Sequence, residues 1–182
     1  MYKFKPYKLV TENLPDQYKS IELTRVEWNF NDPVEYKKYK DVFNELLYEL
    51  DIAIARFKND GKSVNRWSDK KLLKWLQTTY DDTKYVVFLY KMTETIVGTI
   101  VLRFYNFNNK KTPWVMVSQI VVHPKYRKMG FGGFMMQDIF AYLKNLRIDK
   151  LYLDVLYKNI PAYAFYKEMG FEEEYVSMVK IL

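Results

Sequence analysis

The stretch that decides the fold is Gln119–Gly133, which reads QIVVHPKYRKMGFGG. It opens with a β-branched run typical of a buried strand, Pro124 ends that run, and a helical pattern begins after the glycines. The turn between them is Arg127–Gly132, RKMGFG. Glycines permit positive φ and let a ligand approach the backbone closely. The stretch therefore predicts a strand joined to a helix by a tight, glycine-rich turn.

This turn has the chemistry of an anion-binding site. Successive N–H groups at a helix N-terminus attract anions, and the helix dipole reinforces that attraction. Lys125, Arg127 and Lys128 add positive charge nearby. The turn is neither a Walker loop, because no Gly-Lys-Ser/Thr follows, nor a dinucleotide fingerprint, which needs three spaced glycines. It suits a pyrophosphate, and an ordinary strand-to-helix connection without a ligand is the alternative.

Outward from this stretch, the N-terminal side predicts strands and two helices. Helix starts are indicated by Asn31-Asp32-Pro33 and by Ser68, each before apolar residues at helical spacing. The predicted elements are a strand at Ile21–Val26, a helix at Val34–Leu50, a loop at Lys58–Trp67, a helix from Ser68 to Thr79, and strands at Tyr85–Tyr90, Ile96–Tyr105 and Trp114–Val122. The closely spaced strands predict an antiparallel meander.

On the C-terminal side, the predicted elements are a helix at Gly132–Leu146, a strand at Leu151–Val155, a helix at Ile160–Met169 and a closing strand at Tyr175–Leu182. Residues 114–155 have the length of a parallel strand-helix-strand crossover. The expected fold class is α+β, with a mixed, largely antiparallel sheet flanked by helices in a single domain. Residues 1–20 are read as an N-terminal extension, and residues 21–182 as the domain.

Composition excludes several classes of site. The chain has 182 residues and no cysteine, so disulfides, thiolate metal sites and a cysteine nucleophile are excluded. One histidine, His123, argues against a histidine metal site or a Ser-His-Asp triad, and no metal is expected. The net charge of +7 is scattered, which disfavours nucleic acid as a partner. No signal peptide or membrane span is predicted, so the expected location is the cytoplasm.

The pattern Ile120-Val121-Val122-x-Pro124-x-Tyr126-Arg127-x-x-Gly130-x-Gly132 resembles the acetyl-coenzyme A signature of the GNAT superfamily of N-acetyltransferases. The resemblance implies that main-chain amides of the turn hold the cofactor pyrophosphate. It also implies that the strand before the turn pairs with the pantetheine arm through Ile120 and Val122. The residues so implied in cofactor binding are Ile120, Val121, Val122, Arg127, Lys128, Met129, Gly130, Phe131, Gly132 and Gly133.

A second pattern, Asn159-x-x-Ala162-x-x-x-Tyr166-x-x-x-Gly170-Phe171, resembles the later coenzyme-binding segment of the same superfamily. The resemblance implies that Asn159 and Tyr166 contact the cofactor. It also implies that Tyr166 is the general acid that protonates the departing thiolate. Locally, Asn159 suits an N-cap and Gly170 a left-handed C-terminal cap. The alternatives are a purely capping role for Asn159 and a packing role for Tyr166.

The general base is not identified by sequence. Many members of the superfamily carry a carboxylate on the strand equivalent to Trp114–Val122, whereas here Ser118 and Gln119 are its only polar residues. Glu22, Glu27 and Asp154 are other candidates, each with a structural alternative.

The predicted function is acetyl transfer from acetyl-coenzyme A, as co-substrate, to a primary amine by direct attack in a ternary complex. An inactive coenzyme-binding domain and a nucleic-acid-binding module are the alternatives. Besides acetyl-coenzyme A and an amine acceptor, a second copy of the chain in a homodimer is left open as a partner.

Overall fold

In a computed structural model, the structure describes residues 23–58, 63–77, 83–105 and 114–178, together with positions 16 and 180. Helices and strands alternate in the order expected for an α+β fold. The elements are β1 (Leu23–Glu27), α1 (Pro33–Lys58), α2 (Asp69–Gln77), β2 (Lys84–Met92), β3 (Thr95–Tyr105), β4 (Trp114–Val122), a 3₁₀ turn (Pro124–Tyr126), α3 (Phe131–Asn145), β5 (Leu151–Leu153) and α4 (Ile160–Glu168).

The strands form one sheet in the order β1-β2-β3-β4-β5. Neighbouring strands from β1 to β4 are antiparallel, so the predicted meander is confirmed. Strand β5 pairs with β4 in parallel, with Val115 opposite Leu151 and Val117 opposite Leu153. Helix α3 makes the crossover between them, as parallel neighbours require. The predicted mixed, largely antiparallel sheet flanked by helices is confirmed.

Each face of the sheet has its own core. Helices α3 and α4 cover one face, where Ile100 and Val117 pack with Met135 and Ile139. Helices α1 and α2 cover the other face. The residues buried there include Phe43, Leu72, Val87, Val101 and Val121. Alternate strand residues pack into different cores because successive side chains point to opposite faces of the sheet.

The predicted helix starts are confirmed by their capping bonds. The Asp32 carboxylate accepts the main-chain N–H groups of Val34 at 2.8 Å and Glu35 at 3.0 Å. The Ser68 hydroxyl accepts the N–H of Lys71 at 3.3 Å. These side chains satisfy donors that have no acceptor inside the helix, which is why such residues favour the N-cap.

The predicted end of α1 at Leu50 is wrong, because the helix continues to Lys58. Ile54 and Phe57 extend the apolar stripe at spacings of four and three beyond Leu50, and all three side chains are half-buried. That spacing keeps one face of the helix toward the sheet.

The predicted strand at Tyr175–Leu182 is also wrong for its described residues, 175–178 and 180, which lie in no strand. Val176 and Met178 are 82% and 92% exposed. An apolar run forms a strand only where an edge accepts its hydrogen bonds, and β5 offers three residues. Ile21 and Glu22 lie outside the described residues.

A buried ion pair fixes α3 to the sheet. Arg25 of β1 lies 2.7 Å from the Asp138 carboxylate of α3, whose side chain is 2% exposed. The hydroxyl of Tyr90 donates to the same carboxylate at 2.8 Å. Burial and the neighbouring Asp138 charge raise the pKa of Tyr90 well above its ordinary value, so the hydroxyl remains a donor. The Arg25 guanidinium also lies over the rings of Phe88 and Tyr142, at 4.8 and 4.9 Å.

We expect Asp138→Ala to lower the free energy of unfolding by about 3–5 kcal/mol, because it leaves Arg25 buried without its partner. Urea denaturation measures the loss. The matched control is Asp149→Ala, an exposed position where the change should stay within about 0.5 kcal/mol. A loss below about 1 kcal/mol in Asp138→Ala would contradict the anchoring role.

Candidate functional site

Strand β4 has an open edge along its C-terminal half. On one side it pairs with β3 as far as Val122. On the other side it pairs with β5 only from Val115 to Val117, because β5 ends at Leu153. Main-chain groups of Gln119–Val122 on that side therefore have no strand partner within the described parts of the chain. Such an edge can accept an extended ligand as an added strand.

The direction of these groups follows from the register. The N–H of His123 donates to the Val97 carbonyl of β3 at 2.9 Å. Since alternate residues of a strand bond to the same side, the main-chain groups of Ile120 and Val122 face the open edge. The Val122 carbonyl already accepts the Arg127 Nε at 3.0 Å. The side chain of Val121 points to the face of the sheet that α1 and α2 cover, and it is buried there.

A β-bulge lies where β5 leaves β4. Gln119 is opposite Val101, and Val117 is opposite Leu102, so Ser118 is an extra residue in β4. A bulge bends the strand and increases its twist. The bend comes directly after Val117, the last residue that pairs with β5. The bulge therefore helps to separate the two strands beyond this point.

The glycine-rich turn brings the N-terminus of α3 to the same edge. Lys128 and Gly130 have positive φ values, 61° and 82°, and Gly130 is the N-cap. A glycine N-cap offers no side chain to the first N–H groups of the helix, which also lack acceptors within it. A Cβ added to Gly132 would lie 3.8 Å from the side chain of Val122. The open edge and the helix N-terminus thus form one continuous surface.

Side chains around the turn divide into anchors and charges. Tyr126 and Phe131 are buried, with their ring centroids 5.9 Å apart, so they hold the turn against the core. Lys128 is exposed. Arg127 is also exposed, and its guanidinium lies 3.4 Å from the Glu49 carboxylate of α1. The turn therefore offers main-chain donors with positive charge beside them, which is the arrangement expected for binding an anion.

Close packing under the site depends on Gly98 of β3. A Cβ at this position would lie 2.7 Å from the Val121 carbonyl and 2.9 Å from Met135 Sδ. Any other residue would therefore displace the Val121 carbonyl of β4 and the Met135 side chain of α3. This role was not predicted from the sequence, although an isolated glycine inside a predicted strand is a recognised sign of close backbone approach.

Helix α4 lies beside the first turn of α3. The Asn159 side chain accepts the N–H of Ala162 at 3.3 Å, which confirms the predicted N-cap. Gly170 has φ 86°, and the N–H of Phe171 bonds to the Tyr166 carbonyl, as in a Schellman cap. A Cβ at Gly132 would lie 3.6 Å from the Phe165 ring. The two predicted motifs therefore meet in space.

Tyr166 is half-buried between the rings of Phe165 and Phe171, with centroids at 5.3 and 5.8 Å. Burial raises the pKa of its hydroxyl to about 12. Within the described ranges, no hydrogen bond to this hydroxyl is found. A phenol with this pKa stays protonated near neutral pH, so it can donate a proton or hydrogen bond but cannot act as a base there.

Of the carboxylate candidates, Glu27 lies far from β4, whereas Asp154 directly follows Leu153, the last β5 residue that pairs with β4. Glu27 is exposed on β1, three strand spacings from β4, or roughly 14 Å. Asp154 accepts a hydrogen bond from the Tyr175 hydroxyl at 2.8 Å. Glu22 lies outside the described residues. His123 caps the 3₁₀ turn, its Nδ1 accepting the N–H of Lys125 at 3.3 Å.

Other features of the described chain add no chemistry to this surface. A cavity of about 560 Å³ lies between the end of α1 and residues 63–71, and its lining includes none of the turn or β4. Over the same described ranges, no cluster of His, Asp or Glu side chains could hold a metal ion. None of their helices combines the length and apolar character needed to cross a bilayer.

The acetyltransferase (GNAT) family profile matches residues 44–171, which include β4, the turn, α3 and α4. No curated protein matches the chain. Three solved structures illustrate the similarity of the fold. The chain is 20% identical to a mutant of the BH1408 protein of Bacillus halodurans, with a TM-score of 0.66, covering 88% of this chain and 98% of that one.

Two further structures are named for different acceptors. One is an aminoglycoside acetyltransferase from an uncultured soil metagenomic sample, at 16% identity and a TM-score of 0.57, covering 92% of this chain and 98% of that one. The other is glucosamine-6-phosphate N-acetyltransferase from Arabidopsis thaliana, at 17% identity and a TM-score of 0.56, covering 87% and 97%. At these identities the similarity shows the fold and leaves the acceptor open.

Proposed function

The chain belongs to the acetyltransferase (GNAT) family, and we propose that it moves the acetyl group of acetyl-coenzyme A to a primary amine in a ternary complex. The observation that carries the proposal is the open edge of β4 beside the glycine-capped N-terminus of α3. An extended amide-containing arm fits the first, and a pyrophosphate fits the second.

Binding of the co-substrate is assigned mainly to main-chain groups. The amides of residues 129–133 would donate to the pyrophosphate, with Lys128 and Arg127 adding positive charge. The N–H and carbonyl of Ile120 and the N–H of Val122 would pair with the pantetheine amides. The Val122 carbonyl is engaged by Arg127, so it would contribute only after that side chain moved. Asn159 would contact the co-substrate from the N-terminus of α4.

The chemistry requires a neutral amine, a polarised carbonyl and a protonated leaving sulfur. A C–N bond forms and the C–S bond breaks, the amine loses its proton to water, and the sulfur gains one from Tyr166, which is reprotonated from solvent. A β4 amide near Ile120 would stabilise the oxyanion. Tyr166, whose raised pKa keeps the hydroxyl protonated near neutral pH, would give its proton to the sulfur. Holding both reactants in one cleft would supply much of the rate.

An inactive coenzyme-binding domain is the second candidate, favoured by the absence of a carboxylate on β4. The tyrosine at position 166, which matches the family's general acid, favours the enzyme instead. Thioester turnover in the presence of amines separates the two.

We expect Gly132→Leu to weaken acetyl-coenzyme A binding at least tenfold, by roughly 1.4 kcal/mol or more, because its side chain blocks approach to the amides. The protein itself leaves room, since the nearest ring atom would be 3.6 Å from the new Cβ. Calorimetry measures the affinity. Gln137→Leu, an exposed position on the same helix, is the matched control. A folded Gly132→Leu protein with unchanged affinity would overturn the assignment.

We expect Tyr166→Phe to reduce kcat by about 10²–10⁴-fold, the range for positioned proton transfer, with little change in acetyl-coenzyme A affinity. The control is Tyr163→Phe on the same helix, whose hydroxyl bonds to Glu173 at the surface. Steady-state kinetics and calorimetry are the measurements. Near-normal turnover in Tyr166→Phe would leave Tyr166 with only its packing role.

We expect the acceptor's own pKa to control the rate, because β4 carries no carboxylate base. An α-amine with a pKa of roughly 7.7–8.0 is partly neutral at pH 7, whereas a lysine-type amine near about 10.4 is almost wholly charged. Activity should therefore favour low-pKa amines and rise with pH toward the acceptor's pKa. Glu22→Gln, Glu27→Gln and Asp154→Asn should keep most activity. A roughly hundredfold loss of kcat in one of them, together with loss of an acidic limb, would identify that carboxylate as the base.

A further inference from the structure

Two buried side-chain atoms of the described chain have no hydrogen-bond partner, Arg103 Nε on β3 and Gln119 Oε1 on β4. Buried polar atoms are nearly always paired, because an unpaired one loses its hydrogen bonds to water and gains none in the protein. A donor and an acceptor are thus left unpaired on adjacent strands. A ligand that offers one acceptor and one donor would satisfy both.

Both side chains lie on the same face of the sheet. Gln119 is opposite Val101, and Val101 belongs to the core on the α1 side. Arg103 follows two residues after Val101, so strand alternation places it on that face as well. Gln119 also directly precedes Ile120, whose main chain lines the open edge. The unpaired atoms therefore lie on the face of the sheet opposite α3, next to the proposed reacting centre.

Arg103 is held by aromatic rings instead of by an acid. Its guanidinium carbon lies 4.5 Å from the ring centroid of Tyr105 and 5.6 Å from that of Tyr85. No ion pair to Arg103 occurs among the residues that the structure describes. A guanidinium held by cation–π contacts, with its Nε unpaired, can donate that N–H in a charge-assisted hydrogen bond to a carboxylate or phosphate.

Aromatic side chains continue this face toward β5. The rings of Tyr105 and Trp114 are stacked, with centroids 3.8 Å apart, and Tyr152 of β5 meets Trp114 edge-on at 5.4 Å. Trp114 is 38% exposed. The rings offer an apolar wall beside Arg103. Neither β3 nor β4 carries an Asp or Glu.

We propose that the surface formed by Arg103, Gln119, Tyr105 and Trp114 binds the acceptor, and that the acceptor is an amine that also carries a carboxylate or phosphate. The inference rests on the proposed acetyl transfer. The anionic group binds the Arg103 guanidinium. The amine donates an N–H to Gln119 Oε1, which directs its lone pair toward the thioester carbonyl, and the apolar part of the acceptor contacts Trp114.

The experiment compares acceptors that differ only in the anionic group. The pairs are phenylalanine with phenylalaninamide, and glucosamine 6-phosphate with glucosamine. We expect wild-type kcat/KM to favour the anionic member of one pair by about ten- to hundredfold, the range for a charge-assisted hydrogen bond. The pair that shows the preference identifies the group as carboxylate or phosphate.

Arg103→Met should bring that ratio close to one, and Arg103→Lys should restore part of it. Gln119→Met should raise KM for both members of the pair. Arg147→Met is the matched control, because it removes the same charge from an exposed position after α3. It should keep the wild-type ratio.

Calorimetric titration of the same compounds into protein saturated with coenzyme A measures acceptor binding separately from acetyl transfer. The acceptor site and the transfer activity are therefore tested independently. If neutral amines are acetylated with no preference for anionic ones, the acceptor inference is wrong and the transfer activity stands. If no amine is acetylated, yet anionic members bind in an Arg103-dependent manner, the anionic site stands and the proposed function is wrong. If no amine is acetylated and none binds, both are wrong.

Discussion

Strand β4 is paired along its whole length on one side and along only three residues on the other. Within the described residues, the bulge at Ser118 and the early end of β5 leave the N–H and carbonyl of Ile120 and the N–H of Val122 without a strand partner at an interior position of the sheet. Unpaired main-chain groups are costly unless water or a ligand satisfies them. The crossover helix begins at this gap, so its free N–H groups join the same surface. Every proposed contact to the co-substrate depends on this one opening.

The opening is held in place by packing on both sides of it. Arg25, Asp138 and Tyr90 tie the middle of α3 to β1 and β2, while Gly98 leaves room for the Val121 carbonyl of β4 and the Met135 side chain of α3. The turn itself is fixed by the buried ring of Phe131. A rigid support of this kind is what a main-chain binding site needs, because displacements of about an ångström can remove hydrogen bonds.

Local signals in the sequence predicted the meander, the crossover, the caps and the turn, because proline, glycine and β-branched runs act within a few residues. Signals that depend on distant partners were harder to read. The apolar run after Tyr175 has as its neighbouring edge only the three residues of β5, and it forms no strand over its described residues. Arg103 looks like an exposed strand charge in sequence, and only the register places it on the same face as Gln119. The role of Gly98 likewise depends on Met135, far along the chain.

Different parts of β4 would hold the two reactants. One edge and the α3 turn would hold the co-substrate, and the α1-side face with Arg103 would hold the acceptor.

The most direct measurement is a titration of ¹⁵N-labelled protein with coenzyme A, followed through its amide resonances. If this opening holds the co-substrate, we expect the largest shifts at Ile120, Val122, Gly132 and Gly133. Shifts confined to the cavity between α1 and residues 63–71, with those four amides unmoved, would contradict it.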